Sequence, residues 1–115
     1  MIERNDELAA RRFAEDETAI APIHPGEILR EEFLVPLGIT ANRLALDVGV
    51  TSSRITEILN GKRSITAETA LRLGRYFDLD PQFWISLQTG YDLRVAARQL
   101  GDRLDREVRP LRKAG

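Results

Sequence analysis

The sequence predicts an all-α protein, and three observations predict it. From Pro25 to Val108 apolar residues return at three- and four-residue steps, the period that lines one face of a helix. Helix-start chemistry at Thr40, Thr51, Thr66 and Asp80-Pro81 alternates with helix-stop chemistry at Pro36-Leu37-Gly38, Gly49 and Asn60-Gly61. No segment shows the polar/apolar alternation of a half-buried strand.

The elements follow in order. Residues 1–21 are charged and carry only a weak apolar stripe of Ile2, Leu8, Ala9, Phe13 and Ala14, which predicts an acidic N-terminal arm or marginal helix. At Pro25 the texture changes. Ile28, Leu29, Phe33 and Leu34 form a helical face with Arg30, Glu31 and Glu32 between them, and the helix should stop at Pro36, which lacks a backbone donor. His24, before Pro25-Gly26-Glu27, reads as helix-start chemistry. A second helix runs from the N-cap Thr40 through Leu44, Ala45 and Val48 to Gly49, and a third from Thr51 to the left-handed cap Asn60-Gly61. Thr66 opens a fourth, with Ala70, Leu71, Leu73, Gly74 and Phe77 as its packing face. Asp80-Pro81 starts a short fifth over Phe83 to Leu87. Leu93, Ala97, Leu100, Leu104 and Val108 give an amphipathic last helix, weakened at Gly101. The domain reading is an arm over 1–21, a core domain over 22–98, and a helix end with a basic tail over 99–115.

At 115 residues the chain suits one compact domain. With no cysteine and one histidine, thiolate metal sites, disulfides and cysteine nucleophiles are excluded, and no catalytic constellation surrounds His24; the expectation is no enzyme, no metal and no cofactor. Glu31-Glu32 and Asp102-Asp105 interleave with basic residues, as exposed helical charges do. No run reaches the roughly eighteen apolar residues of a membrane span, and Met1 to Glu7 lacks a signal-peptide pattern, so a cytoplasmic protein is expected. The net charge of −1 is uneven: residues 1–21 carry three basic and six acidic side chains, whereas 22–77 carry seven and six.

The informative feature is the pair of short helices on either side of Gly49-Val50. Leu44, Val48, Val50, Ile55 and Ile58 fall where a helix-turn-helix needs apolar side chains, Ala45 where the two helices approach, and Gly49 where the sharp turn needs positive φ. A helical hairpin inside a bundle would share these core positions, but it would not leave Thr51, Ser52, Ser53, Arg54 and Thr56 polar around the start of the third helix. In this motif that end of the second helix of the pair enters the major groove of DNA. The base-reading candidates are therefore Ser52, Ser53, Arg54 and Thr56, with Arg54 able to donate two hydrogen bonds to one guanine. Glu57 can restrain Arg54 at i,i+3, accept from cytosine, or repel phosphate. Thr40 and Thr51 at helix N-termini, Arg43, and Asn60, Lys62 and Arg63 in the following loop are the phosphate-binding candidates. One reading helix contacts too few base pairs for useful specificity, so a homodimer on a palindromic site is expected, joined through the fifth and last helices.

The run His24-Pro25-Gly26-Glu27-Ile28-Leu29-Arg30-Glu31-Glu32-Phe33-Leu34 resembles the HigA family of antitoxins. So do Leu44-Ala45 through Gly49-Val50, Ile58 to Thr66, Ala70-Leu71-Arg72-Leu73, Phe83 to Gln88 and Tyr91-Asp92-Leu93. The resemblance covers about residues 22–98 and places the domain near the XRE or Cro/C1-type repressors. It implies a compact five-helix lambda-repressor-like helix-turn-helix domain with an additional C-terminal amphipathic helix and an N-terminal arm. It also implies an antitoxin that neutralises a HigB-like mRNA-cleaving toxin and represses its own operon; a stand-alone repressor without a toxin is the alternative. Trp84, Leu87 and Tyr91 map to the packing and dimer-forming end of such a domain. The acidic arm is a candidate for binding a basic toxin, and the tail from Arg106 to Lys113 for touching DNA.

Overall fold

The computed structural model describes residues 21–112, all of whose regular elements are helices. The arm reading for residues 1–20 and the end of the basic tail, residues 113–115, lie outside the described residues. The chain divides into two compact units, Ile23–Asp92 and a second that contains residues 93–112.

The first helix, α1 (25–37), opens as the sequence predicts. Pro25 occupies its first turn, and the Nδ1 atom of His24 accepts a hydrogen bond from the Gly26 amide at 2.9 Å, satisfying one of the amides that the helix leaves unpaired. Its end departs from expectation: Pro36 lies within the helix. Over Leu29–Leu34 the turns widen to π geometry, and the Val35 amide donates to the Arg30 carbonyl five residues back. This shifts the ladder just before the residue that cannot donate and whose ring crowds the carbonyl four back. Gly38 (φ 65°) ends the helix; its amide donates to Val35 and that of Ile39 to Leu34, the paired bonds of a Schellman cap.

Helices α2 (Ala41–Val48) and α3 (Ser52–Leu59) are the predicted pair. Thr40, Thr51 and Thr66 each accept from the amide three residues on, so three helix starts rest on the same local chemistry. Gly49 turns the chain at φ 76°, and its amide and that of Val50 both donate to the Ala45 carbonyl. In α4 (Ala67–Phe77), Ala70, Leu73 and Gly74 are buried, but Leu71 is exposed. At 100° per residue it falls outside the arc that the other three share, which corrects its assignment to the packing face.

The expected fifth and last helices are one helix as far as Leu100: α5 spans Pro81–Leu100. Two contacts made by its Pro81 to Asp92 part explain why no break falls near Gly90. Buried Gln88 accepts from the Ile65 amide at 2.8 Å, and Tyr91 packs edge-on against His24 with ring centres 4.9 Å apart. Tertiary contacts of this kind override the roughly 1 kcal/mol preference against glycine in a helix. The break comes at Gly101, at φ +55°, before a five-residue helix α6 (Arg103–Glu107) whose ends are tied by the Arg103–Glu107 pair. The apolar positions Leu93, Leu104 and Val108 are exposed.

The core of Ile23–Asp92 joins Leu29 and Leu34 of α1 to Leu44, Ala45 and Val48 of α2, Ile55 and Ile58 of α3, Ile65, Ala70 and Leu73, and Trp84 of α5. Trp84 is fully buried, with the rings of Phe33 and Phe83 centred 5.0 Å from its own. Among the described residues its indole N–H has no hydrogen-bond partner, a desolvation cost that its aromatic packing and buried area offset. Among the described residues no helix is long and apolar enough to cross a membrane.

Candidate nucleic-acid interface

The helix pair turns one face of α3 into the core and the other outward. Ile55 and Ile58 are wholly buried, while Ser52, Ser53 and Thr56 are exposed and Arg54 is half-buried with about a third of its side chain accessible (34%). The four base-reading candidates therefore lie on the outer side or rim of a helix whose inner side anchors it. One local cap and two tertiary contacts fix that helix. Thr51 caps its first turn through the Arg54 amide at 3.1 Å. Gly26 of α1 lies so close to its last turn that a Cβ there would overlap the Ile58 carbonyl. At the turn before it, Arg72 of α4 donates to the Val48 carbonyl at 2.8 Å.

The charged candidates are mostly held by acids. Arg54 is paired with Glu68 of α4 at 3.7 Å, and Arg72 reaches the other oxygen of the same carboxylate at 3.3 Å. Among the described residues Glu57 does not pair with Arg54; it binds Arg63 at 2.8 Å, on the side of the loop that follows α3. Arg43 binds Asp47 at 2.9 Å, and the Tyr76 hydroxyl donates to the same Asp47 carboxylate at 2.7 Å. These bonds hold the Asp47 carboxyl below its usual range, the Tyr76 hydroxyl first and Arg43 next, and they push the Arg43 and Tyr76 protons to higher pH.

Lys62 is exposed and has no ion pair among the described residues; Asn60 accepts from Arg30 of α1 at 3.3 Å. Thr40 and Thr51 use their hydroxyls on backbone amides and remain exposed at helix N-termini. Trp84 belongs to the core, Leu87 is half-buried against it, and Tyr91 packs on His24. Burial lowers the His24 proton affinity, against a smaller opposing pull from Asp92. This suits a ring nitrogen that must accept the Gly26 amide. Among the described residues no cluster of His, Asp or Glu could hold a metal ion.

The sequence reading missed Glu68, Arg72, Arg30 and Gln88. Only Glu68 carried a local signal, as an acid in the first turn of a helix.

A helix-turn-helix family model matches residues 29–84. A Dichelobacter nodosus protein, virulence-associated protein I, is 58% identical over 74 residues, which are 64% of this chain and 68% of that one. The structure of Pseudomonas aeruginosa antitoxin HigA with the higBA promoter superimposes with a TM-score of 0.76 at 44% identity, covering 78% of this chain and 98% of that one. An addiction module antidote protein of a HigA family from Coxiella burnetii gives 0.77 at 47% identity, covering 80% and 100%.

Proposed function

The chain belongs to the HigA family of helix-turn-helix proteins, and from that premise we propose that it is an antitoxin that represses its own operon. It is not an enzyme. In this reading two copies bind a palindromic operator in the cytoplasm, and a HigB-like toxin is the protein partner. The domain over 22–98 reads DNA with Ser52, Ser53, Arg54 and Thr56 of α3 in the major groove. Thr40, Arg43, Thr51, Asn60, Lys62 and Arg63 meet the flanking phosphates.

The observation that carries the proposal is the outward polar start of α3, bent away from α2 at Gly49 and backed by buried Ile55 and Ile58. A relative of nearly half identity solved with its promoter supports the same reading. The test is co-purification with the product of the adjacent gene, followed by a promoter-shift assay with and without that product. Retarded promoter DNA and a co-purified basic ribonuclease are the expected results. A shift without a toxin partner would leave a stand-alone repressor, and no shift at any low-salt condition would refute the DNA reading.

A further inference from the structure

One carboxylate links the turn of the motif to its reading helix. Arg72 of α4 donates through Nη1 to the Val48 carbonyl, where α2 ends, and through Nη2 to Glu68 Oε1. The other oxygen of Glu68 faces Arg54 Nη1 at 3.7 Å. That separation is an ion pair but too long for a hydrogen bond. Glu68 thus restrains the Arg54 guanidinium by charge while leaving its N–H donors available for a base edge.

We infer that Glu68 is a specificity-determining residue for the DNA reading proposed above, on which this inference rests. Held by Arg72, it keeps the Arg54 guanidinium at the start of α3 and cancels part of its charge. An arginine without such an acid binds any phosphate within reach, because backbone contacts carry no sequence information. An arginine held beside one discriminates through the two acceptors of guanine, since its net attraction to the backbone is reduced. The small cleft of about 130 Å³ bounded by Arg54, Arg63, Thr66 and Glu68 is where this balance is set. Glu68 is 62% exposed, so the pair contributes little to folding, and loss of the acid is expected to act on DNA binding.

The test measures binding of the full chain to two duplexes over a salt series. One is selected by the wild-type protein from a randomised library; the other is a shuffled duplex of the same composition. Glu68→Gln should bind the shuffled duplex more tightly, with a salt slope steeper by about 0.9, one more phosphate contact. The selected-to-shuffled preference should fall at least about fivefold, the low end of a bidentate guanine contact. Glu68→Asp, which keeps the charge but draws the carboxylate back by one methylene, should lose less of the preference than Glu68→Gln, and Glu68→Gln added to Arg54→Ala should change neither quantity further. An unchanged preference and slope in Glu68→Gln, or the same change without Arg54, overturns the role of Glu68 alone. A wild-type protein that does not distinguish the two duplexes overturns the DNA reading and this inference with it.

Discussion

Replacing Gly26 with alanine tests the packing of α1 against α3. A Cβ at this position would overlap the Ile58 carbonyl oxygen and stand 2.7 Å from its carbon and 3.0 Å from the Leu59 Cα. All three are backbone atoms of the last turn of α3, so no side chain can rotate aside; α1 and α3 must part by about an ångström to restore van der Waals distances. Overpacking against movable side chains costs about 1–3 kcal/mol, and against fixed backbone on both sides the cost should be at least about 3 kcal/mol. In a domain of this size each kcal/mol lowers Tm by roughly 4–8 °C, which predicts a fall of roughly 12–24 °C. Gly38→Ala is the control: its Cβ meets nothing within 4 Å, but φ is +65°. Left-handed strain of about 1 kcal/mol should lower Tm by roughly 4–8 °C. Both are read by circular dichroism melting at 222 nm. If Gly26→Ala melts within about 4 °C of wild type, or above Gly38→Ala, the contact between α1 and α3 is not as tight as described and the reasoning fails.

Thr51→Ala removes the hydroxyl that accepts the Arg54 amide and should cost about 1 kcal/mol, read as a lower denaturation midpoint with an unchanged m-value. Stability should also decline with acid through His24. Its proton affinity is lowered in the folded protein by burial, so the unfolded chain takes up a proton first. The contribution is complete above the ordinary histidine value near 6.5 and is lost as pH falls through the lower folded value; melting at pH 5 and 7.5 checks it, and in His24→Ala this component should vanish. Lys62→Ala with Arg63→Ala should weaken binding to all duplexes alike and flatten the salt dependence. Lys62→Ala alone should account for more of the change than Arg63→Ala alone, because Glu57 already holds Arg63. An unchanged salt slope in the double variant would refute the phosphate assignment.

What the sequence made legible was the local chemistry of starts and turns. Thr40, Thr51 and Thr66 cap within three residues, Gly49 and Gly61 take the positive φ that a tight stop demands, and the inward positions of α2 and α3 follow from a 3.6-residue period. The misreadings have two physical sources: Pro36 and Leu71 turn on local helix geometry, whereas the fifth helix and the charge partners turn on residues far along the chain. Pro36 predicts the end of α1 by its missing donor, yet the widened ladder over Leu29–Leu34 admits it. A separate short fifth helix was expected, but Gln88 reaches Ile65 twenty-three residues back, and this contact holds the helix together on one side of Gly90 as the Tyr91 contact with His24 does on the other. The candidate site divides in the same way. Which residues of α3 face outward was readable from their period, whereas Arg54 meeting Glu68 and Arg63 meeting Glu57 was not, since several acids lay at plausible spacing. Charge partners on a surface are chosen by tertiary geometry, and a few ångströms decide whether an arginine faces an acid or solvent. A near-neutral total charge is therefore compatible with the proposed DNA-facing surface: Asp47, Glu57 and Glu68 on this face answer arginines, while Lys62 is exposed and without an ion pair among the described residues.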